Sequence, residues 1–405
     1  MRGFGRSFGF LKRTPTSLKT EVMKTRKTLF SSTILSILLA AVLLAGCDGT
    51  SDEREATWRD LGLIAGAEEL TGVAVAGGYV VVGTGDGVWR RPLDGTGSWT
   101  RSGLEGHRVR VLRPAPDAPE KLFAGVDPMG VEGRRSFYRS ENGGASWDGG
   151  GEGLYDEFLE AYVSVEDVAP KPGTEGQVLF ANLQGASVAH SKDGGATWQV
   201  VKGSLDEFGY PCLVHLPSAA PSTLYQGCEI PLDVAWIRTY DVAAANPVLG
   251  EGELKVGLDD ISNRRINSFA SFAAAPGVVY AGIEGAVVAM EGDEWRWVWR
   301  HDGTEDSTDV NYVYVKYFWV DPADPDHLLI AGGDGDRNED SRAGLLESFD
   351  GGATVTELTG PGGLRFDVGG VRAGTTVGAQ GNAARDVVLA ALTPQGARVV
   401  VRENR

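Results

Sequence analysis

From about residue 57 to its end the chain reads as short runs in which Val, Trp, Tyr and Thr alternate with polar residues. Pro, Asp and Gly break these runs at short intervals. A period of two is that of a strand with one face buried, and the breakers mark turns. No long amphipathic helix is evident beyond residue 60. The 57 glycines are spread along the chain without a collagen-like period, as tight turns between strands require. The pattern predicts an all-β protein.

A longer unit recurs above the strand period. It opens on an alternating strand, passes a Pro/Asp/Gly turn, gives a second strand of the type L-x-A-G, and closes on an outer hairpin. The segments APDAPEKLFAGV, APKPGTEGQVLFANL, LPSAAPSTLYQGC, FAAAPGVVYAGI and WVDPADPDHLLIAGG carry its centre in units two to six. VAVAGGYVVVGTGDGVWRRPLDGTGSWTR is unit one, and unit seven spans residues 362–405 with strands at Asp386–Ala391 and Ala397–Arg402. Units of about 40 to 55 residues have the size of a four-stranded blade, so the chain is expected to be a single seven-bladed β-propeller over residues 57–405. Units one and seven are the weakly marked ones, which leaves six and eight as the alternative counts. Unit seven lacks an outer strand, and Ala56–Gly62, with Trp58, is placed to supply it and so close the ring.

Within the outer hairpins a motif repeats. Ser140-Glu-Asn-Gly-Gly-Ala-Ser-Trp147 is one copy, Ser191-Lys-Asp-Gly-Gly-Ala-Thr-Trp198 a second, and Ser348-Phe-Asp-Gly-Gly-Ala-Thr-Val355 a third. Asp94 to Trp99 is a degenerate copy. The Ser hydroxyl and the Asx side chain (Asn142, Asp193, Asp350) can bond the turn's own backbone. Gly144, Gly195 and Gly352 supply turn conformations closed to other residues, and Trp147 and Trp198 bury their rings. The copies resemble the Asp-box, or BNR repeat, S-x-D-x-G-x-x-W. That resemblance covers nearly the whole chain after residue 56 and groups it with sialidases, sortilin-type receptors, a photosystem II assembly factor and xyloglucan hydrolases. It implies fold rather than function, and it implies no chemistry for the box residues.

The first 56 residues have a different character. Lys24, Arg26 and Lys27 precede an uncharged, mainly apolar run from Leu29 to Leu44. Positive flank and run together read as a signal peptide over residues 1–46, for which Met23 is a better opening than Met1. Leu44-Ala45-Gly46-Cys47 resembles the lipobox of bacterial lipoproteins, which implies a diacylglyceryl thioether on Cys47 and a membrane anchor. Residues 47–56 are a polar tether. The expected location is the bacterial cell envelope, lipid-anchored and facing the periplasm or the cell exterior. There an oxidising compartment permits a disulfide between the other two cysteines, Cys212 and Cys228, which flank a turn near residue 220.

Charge changes the picture only by exclusion. The formal net charge is −17, and the first 46 residues hold eight Lys/Arg against one acid, so the remainder stands near −24. Such a surface repels phosphate backbones, and nucleic acid is not an expected partner.

Candidate chemistry is sparse. The five histidines are scattered, with no zinc spacing. Asp334, Asp336, Asn338 and Asp340 place oxygen side chains at every second position, like the first half of a calcium loop. Glu339 and Leu345 stand where such a loop has its Gly and its closing Glu. No other cofactor is expected. The sialidase resemblance implies three arginines holding a carboxylate beside a Tyr–carboxylate pair. Arg90-Arg91-Pro92-Leu93 lies in an outer strand, wrong for a central site. Arg108/Arg110/Arg113 and Arg264/Arg265 lie in or just before inner strands, and Tyr312 and Tyr314 alternate near Asp309. None of these selects a nucleophile. The sequence therefore favours a monomeric, non-enzymatic envelope protein that binds a protein or a glycan, through loop aromatics such as Tyr155, Phe158, Tyr210 and Trp236. The alternative is a sialidase-type glycoside hydrolase.

Overall fold

The computed structural model describes residues 57–128, 135–156, 160–185, 187–202, 212–218, 220–228, 236–244, 253–255, 266–272, 275, 277–283, 285–292, 294–300, 313–321, 324–334, 344–366, 371–375 and 386–403. Their strands form seven four-stranded antiparallel sheets, the blades. The inner strands of blades one to seven are Leu70–Ala76, Arg108–Ala115, Val165–Pro170, Leu213–His215, Ser268–Ala270, Val313–Asp321 and Val371–Thr375. Each lies beside the next, and that of blade seven returns to blade one, so the sheets close a ring. A two-stranded ribbon, Tyr155–Asp156 with Ala161–Tyr162, interrupts the connection from blade two to blade three. The repeat pattern gives no sign of it.

The ring closes as expected. Thr57–Ala65 pairs antiparallel with Gly396–Glu403, from Thr57 opposite Glu403 to Ala65 opposite Gly396, and becomes the outer strand of blade seven. Trp58 stacks on Phe366 at 5.9 Å between centroids. The alternation seen in sequence is weaker in three dimensions, because both faces of a blade pack on neighbours. Leu179–Leu183 and Val278–Ile283 are buried at every position. Second strands therefore read as continuous apolar runs, as strands covered on both faces do.

The Ser-Asx-Gly-Gly hairpins join third and outer strands in blades two, three and six. In each, the Ser hydroxyl donates to the Asx side chain at 2.9 Å and accepts the N–H of the second glycine, Gly144, Gly195 or Gly352, at 2.8 to 2.9 Å. The Asx oxygen accepts the N–H of Ser146, Thr197 or Thr354 at 2.8 to 3.0 Å. The Thr354 hydroxyl and amide hold the Asp350 carboxyl below the usual carboxylate range. Every bond of the device lies within five residues of chain.

The motif tryptophans reach beyond their own blade. Trp147 Nε1 donates to the Ser102 carbonyl of blade one at 2.7 Å, and Trp99 Nε1 donates to the Leu61 carbonyl of the N-terminal strand at 2.8 Å. The degenerate copy in blade one thus fastens the closing strand just as a complete copy fastens its neighbour. The Trp198 amide bonds the Glu152 carbonyl at 2.7 Å. Blade six has Val355 at this place, and its side chain is exposed. Trp147→Val is expected to destabilise the propeller by about 2 kcal/mol, from the lost ring contacts and the unpaired Ser102 carbonyl, and calorimetry would show it as a lowered melting temperature. An unchanged melting temperature would refute this fastening role.

The seam between blades six and seven is ionic. Arg402 Nη2 donates to Glu347 Oε1 at 2.7 Å, and the same oxygen meets His327 Nε2 at 2.7 Å. His327 Nδ1 lies 3.2 Å from Asp321 Oδ2. All four residues are buried. Phe349 stacks on the imidazole at 4.5 Å, and Trp319 meets it edge-on at 5.4 Å.

Candidate functional site

The inner strands of blades one to six surround a cavity of about 700 Å3. Its wall arises from a repeated close approach. The glycine of the L-x-A-G strand has no Cβ, and the inner strand of the next blade presses into that space. A Cβ on Gly125 would stand 2.4 Å from the Val165 carbonyl oxygen, and one on Gly282 would stand 2.7 Å from that of Val315. Val109 sits in the same way on Gly83, and Ile266 on Gly227.

One residue past these seats the inner strand bulges. The register shifts at Thr71, Arg110, Glu166 and Lys316, in blades one, two, three and six. A bulged residue leaves the ladder and its side chain is re-aimed. Asn267 follows Ile266 at the equivalent place in blade five, its amide bonded to the Gly282 carbonyl at 2.8 Å. These five polar residues, one from each of five blades, all line the cavity. They bond across seams: Arg110 Nη1 lies 3.6 Å from Glu166 Oε2, and Lys316 Nζ donates to Asn267 Oδ1 at 3.1 Å.

The three arginines of blade two's inner strand are each engaged by a carboxylate. Arg108 Nε donates to Glu69 at 2.9 Å, Arg110 Nη2 to Asp127 at 2.9 Å, and Arg113 Nη2 lies 2.8 Å from Asp167. Asp167 is buried and accepts the amides of Val168 and Val214 at 2.9 and 3.1 Å. Burial pushes its carboxyl above the usual range, against the pull of Arg113 and those amides. His215 shares this wall, with Nε2 3.0 Å from Ser271 Oγ and its ring stacked on Phe269 at 5.9 Å. Enclosure, and then the charge of Arg113, hold its pKa at about 3, so the ring is neutral near neutral pH.

The structure is similar to the GH74 xyloglucanase from Xanthomonas campestris, with a TM-score of 0.53 and 19% identity over 75% of this chain and 47% of that one. An ancestral GH74 enzyme gives 0.53 and 19% over 84% of this chain and 47% of that one. YCF48 bound to D1 peptide gives 0.51 and 12% over 86% of this chain and 97% of that one. The chain is a seven-bladed β-propeller. At these identities the likeness is one of fold. The propeller spans about half the length of the GH74 enzymes. No protein-family model matches its sequence, and no curated protein does.

The residues singled out in the sequence fall in separate places on the propeller. The Ser-Asx-Gly-Gly hairpins occupy the outer strands, away from the cavity. Cys212 and Cys228 are joined by a disulfide between the inner and second strands of blade four, with 4.3 Å between Cα atoms, and Cys212 lines the cavity. They face each other because Leu213 pairs with Gly227. Arg91 bonds Gly95 and Leu61 carbonyls at the outer edge. Asp334 ends the second strand of blade six, while Asp336, Asn338 and Asp340 lie outside the described residues. So do Cys47, Arg264, Arg265, Asp309, Tyr312, Phe158 and Tyr210. Tyr155 is exposed on the ribbon, edge-on to Tyr162 at 5.4 Å. Trp236 opens the third strand of blade four. Among the described residues no group of three or more His, Cys, Asp or Glu is arranged to hold a metal.

Sequence reasoning reaches Arg110 but misses Thr71, Glu166, Asn267 and Lys316 as its counterparts. Aligning the units on the apolar residue that precedes each of them (Leu70, Val109, Val165, Ile266, Val315) puts all five in one column.

Proposed function

We propose that this protein is a non-enzymatic binding or assembly scaffold of the bacterial cell envelope, held at the membrane by lipid on Cys47 and presenting a propeller face to a protein or glycan. The observation that carries this reading is the pairing of the cavity arginines. A site that grips an anionic substrate needs guanidinium forks turned toward it. Arg108, Arg110 and Arg113 come instead from one strand, and each is already neutralised within the wall. The match along nearly the whole of YCF48, whose structure is described as bound to a peptide, supports a binding role, whereas the GH74 enzymes are matched over half their length. On this reading the three hairpins are Asp-boxes that hold blade corners, and the propeller follows a cleaved signal peptide and a polar tether.

Three measurements test the proposal. Palmitate labelling in cells is expected to disappear in Cys47→Ser. Affinity capture of the tagged protein from solubilised envelopes is expected to recover a partner in stoichiometric amount. The purified protein is expected to leave a fluorogenic sialoside intact. Turnover that vanishes in Arg110→Ala would overturn the scaffold reading in favour of a sialidase-type hydrolase.

A further inference from the structure

We infer that the axial cavity is a binding site for a short, uncharged saccharide. This rests on the reading of the protein as a binding scaffold and gives that reading a ligand class and a place. Polar residues of five blades line the channel at bulges and at their equivalent in blade five, a device that re-aims side chains and recurs beside ligand sites. The two sides of the cavity differ. Blades two and three present planar hydrogen-bonding groups: the carboxylate of Glu166 and the guanidinium groups of Arg110 and Arg113. Blades five and six present partly exposed rings, Phe269, Phe272 and Tyr317, with Asn267 and Lys316 beside them.

A sugar ring matches this division. Its C–H face covers an aromatic ring, and its hydroxyls, each both donor and acceptor, satisfy carboxylate, guanidinium and amide groups. The wall's arginines are compensated by carboxylates, Arg110 by Asp127 and Glu166, and Arg113 by Asp167. A charged ligand would lose its hydration and find its counter-charge already engaged, whereas a neutral one meets the same groups without that loss. His215, uncharged against Ser271, adds hydrogen-bonding capacity and no charge. A volume of about 700 Å3 lies within the range of small-molecule sites, roughly 300 to 1,000 Å3.

Isothermal titration of the purified protein with cellobiose, maltose, lactose and diacetylchitobiose tests the inference, with sialyllactose and a short acidic peptide as charged arms. At least one uncharged disaccharide is expected to bind. Asn267→Ala and Glu166→Gln are each expected to weaken it about tenfold, the loss of one good hydrogen bond. Melting curves verify that the variants fold. If Asn267→Ala unfolds, Lys316→Gln supplies the same readout. Binding of none of the four disaccharides, tighter binding of a charged arm, or affinity indifferent to these substitutions would overturn the site. If envelope capture persists unchanged in Asn267→Ala and no sugar binds, the cavity site falls while the scaffold reading stands. Turnover of a sialoside would remove the scaffold reading itself.

Discussion

Glu347→Ala is expected to destabilise the folded propeller by about 3 to 5 kcal/mol, the cost of leaving a buried partner charge uncompensated. Arg402 would lose the carboxylate that meets it at 2.7 Å, and His327 would lose its partner on Nε2. Both side chains are buried, with Phe349 and Trp319 packed on the imidazole. The loss falls at the seam between blades six and seven, beside the strand by which Trp58 closes the ring. Calorimetry should show a melting temperature lowered by many degrees. The pair Glu347→Leu with Arg402→Met should recover much of it, since apolar residues of similar size need no compensation. A Glu347→Ala variant that melts with the wild type would contradict the assignment.

The same carboxylate predicts an acid limb. Burial works against ionisation of Glu347, but the His327 hydrogen bond and the charge of Arg402 outweigh it and hold its pKa below the ordinary 4.5. The unfolded glutamate takes up its proton near 4.5 while the folded one stays ionised. This stabilisation is therefore complete above that pH and is lost as the pH falls through the folded value. Glu347→Gln, which has no proton to gain, should show a flatter stability curve below pH 4.5.

The second large effect is expected at Gly125→Ala. Its φ lies outside the left-handed region, so backbone strain is not the issue. The added methyl would stand 2.4 Å from the Val165 carbonyl oxygen and 2.9 Å from the Val111 and Val165 side chains. Backbone cannot yield as a flexible side chain can, so blades two and three must part. Overpacking of this kind costs about 1 to 3 kcal/mol or more, and here it also displaces Arg110 and Glu166 on the cavity wall. The expected outcome is a lower melting temperature with weakened sugar binding. A variant as stable as wild type would show that the close approach of the blades is not required. Blade three bears out the packing logic by exception. It has Asn182 in place of the glycine, and the seam with blade four is built from a buried chain instead: Gln226 Nε2 donates to Asn182 at 2.7 Å, and the Tyr240 hydroxyl donates to Gln226 at 2.8 Å.

Features that a few neighbouring residues decide are legible in the chain alone. A Ser, an Asx and two glycines make their turn within five residues, so each hairpin can be placed between third and outer strands from its motif. The L-x-A-G type of second strand marks units two to six for the same reason, and Trp58 in an orphan strand ahead of unit one marks the closure. The rest depends on how the blades wedge together. The partners of Arg402, Arg108 and Asn182 lie 55, 39 and 44 residues away, and no local pattern says which distant residues meet. A bulge is a mismatch between two paired strands, so neither strand's sequence displays it alone. That is why the sequence places Arg110 on an inner strand without naming what it meets, and why only the closed ring shows it as one of five polar residues, from five blades, that line a common cavity.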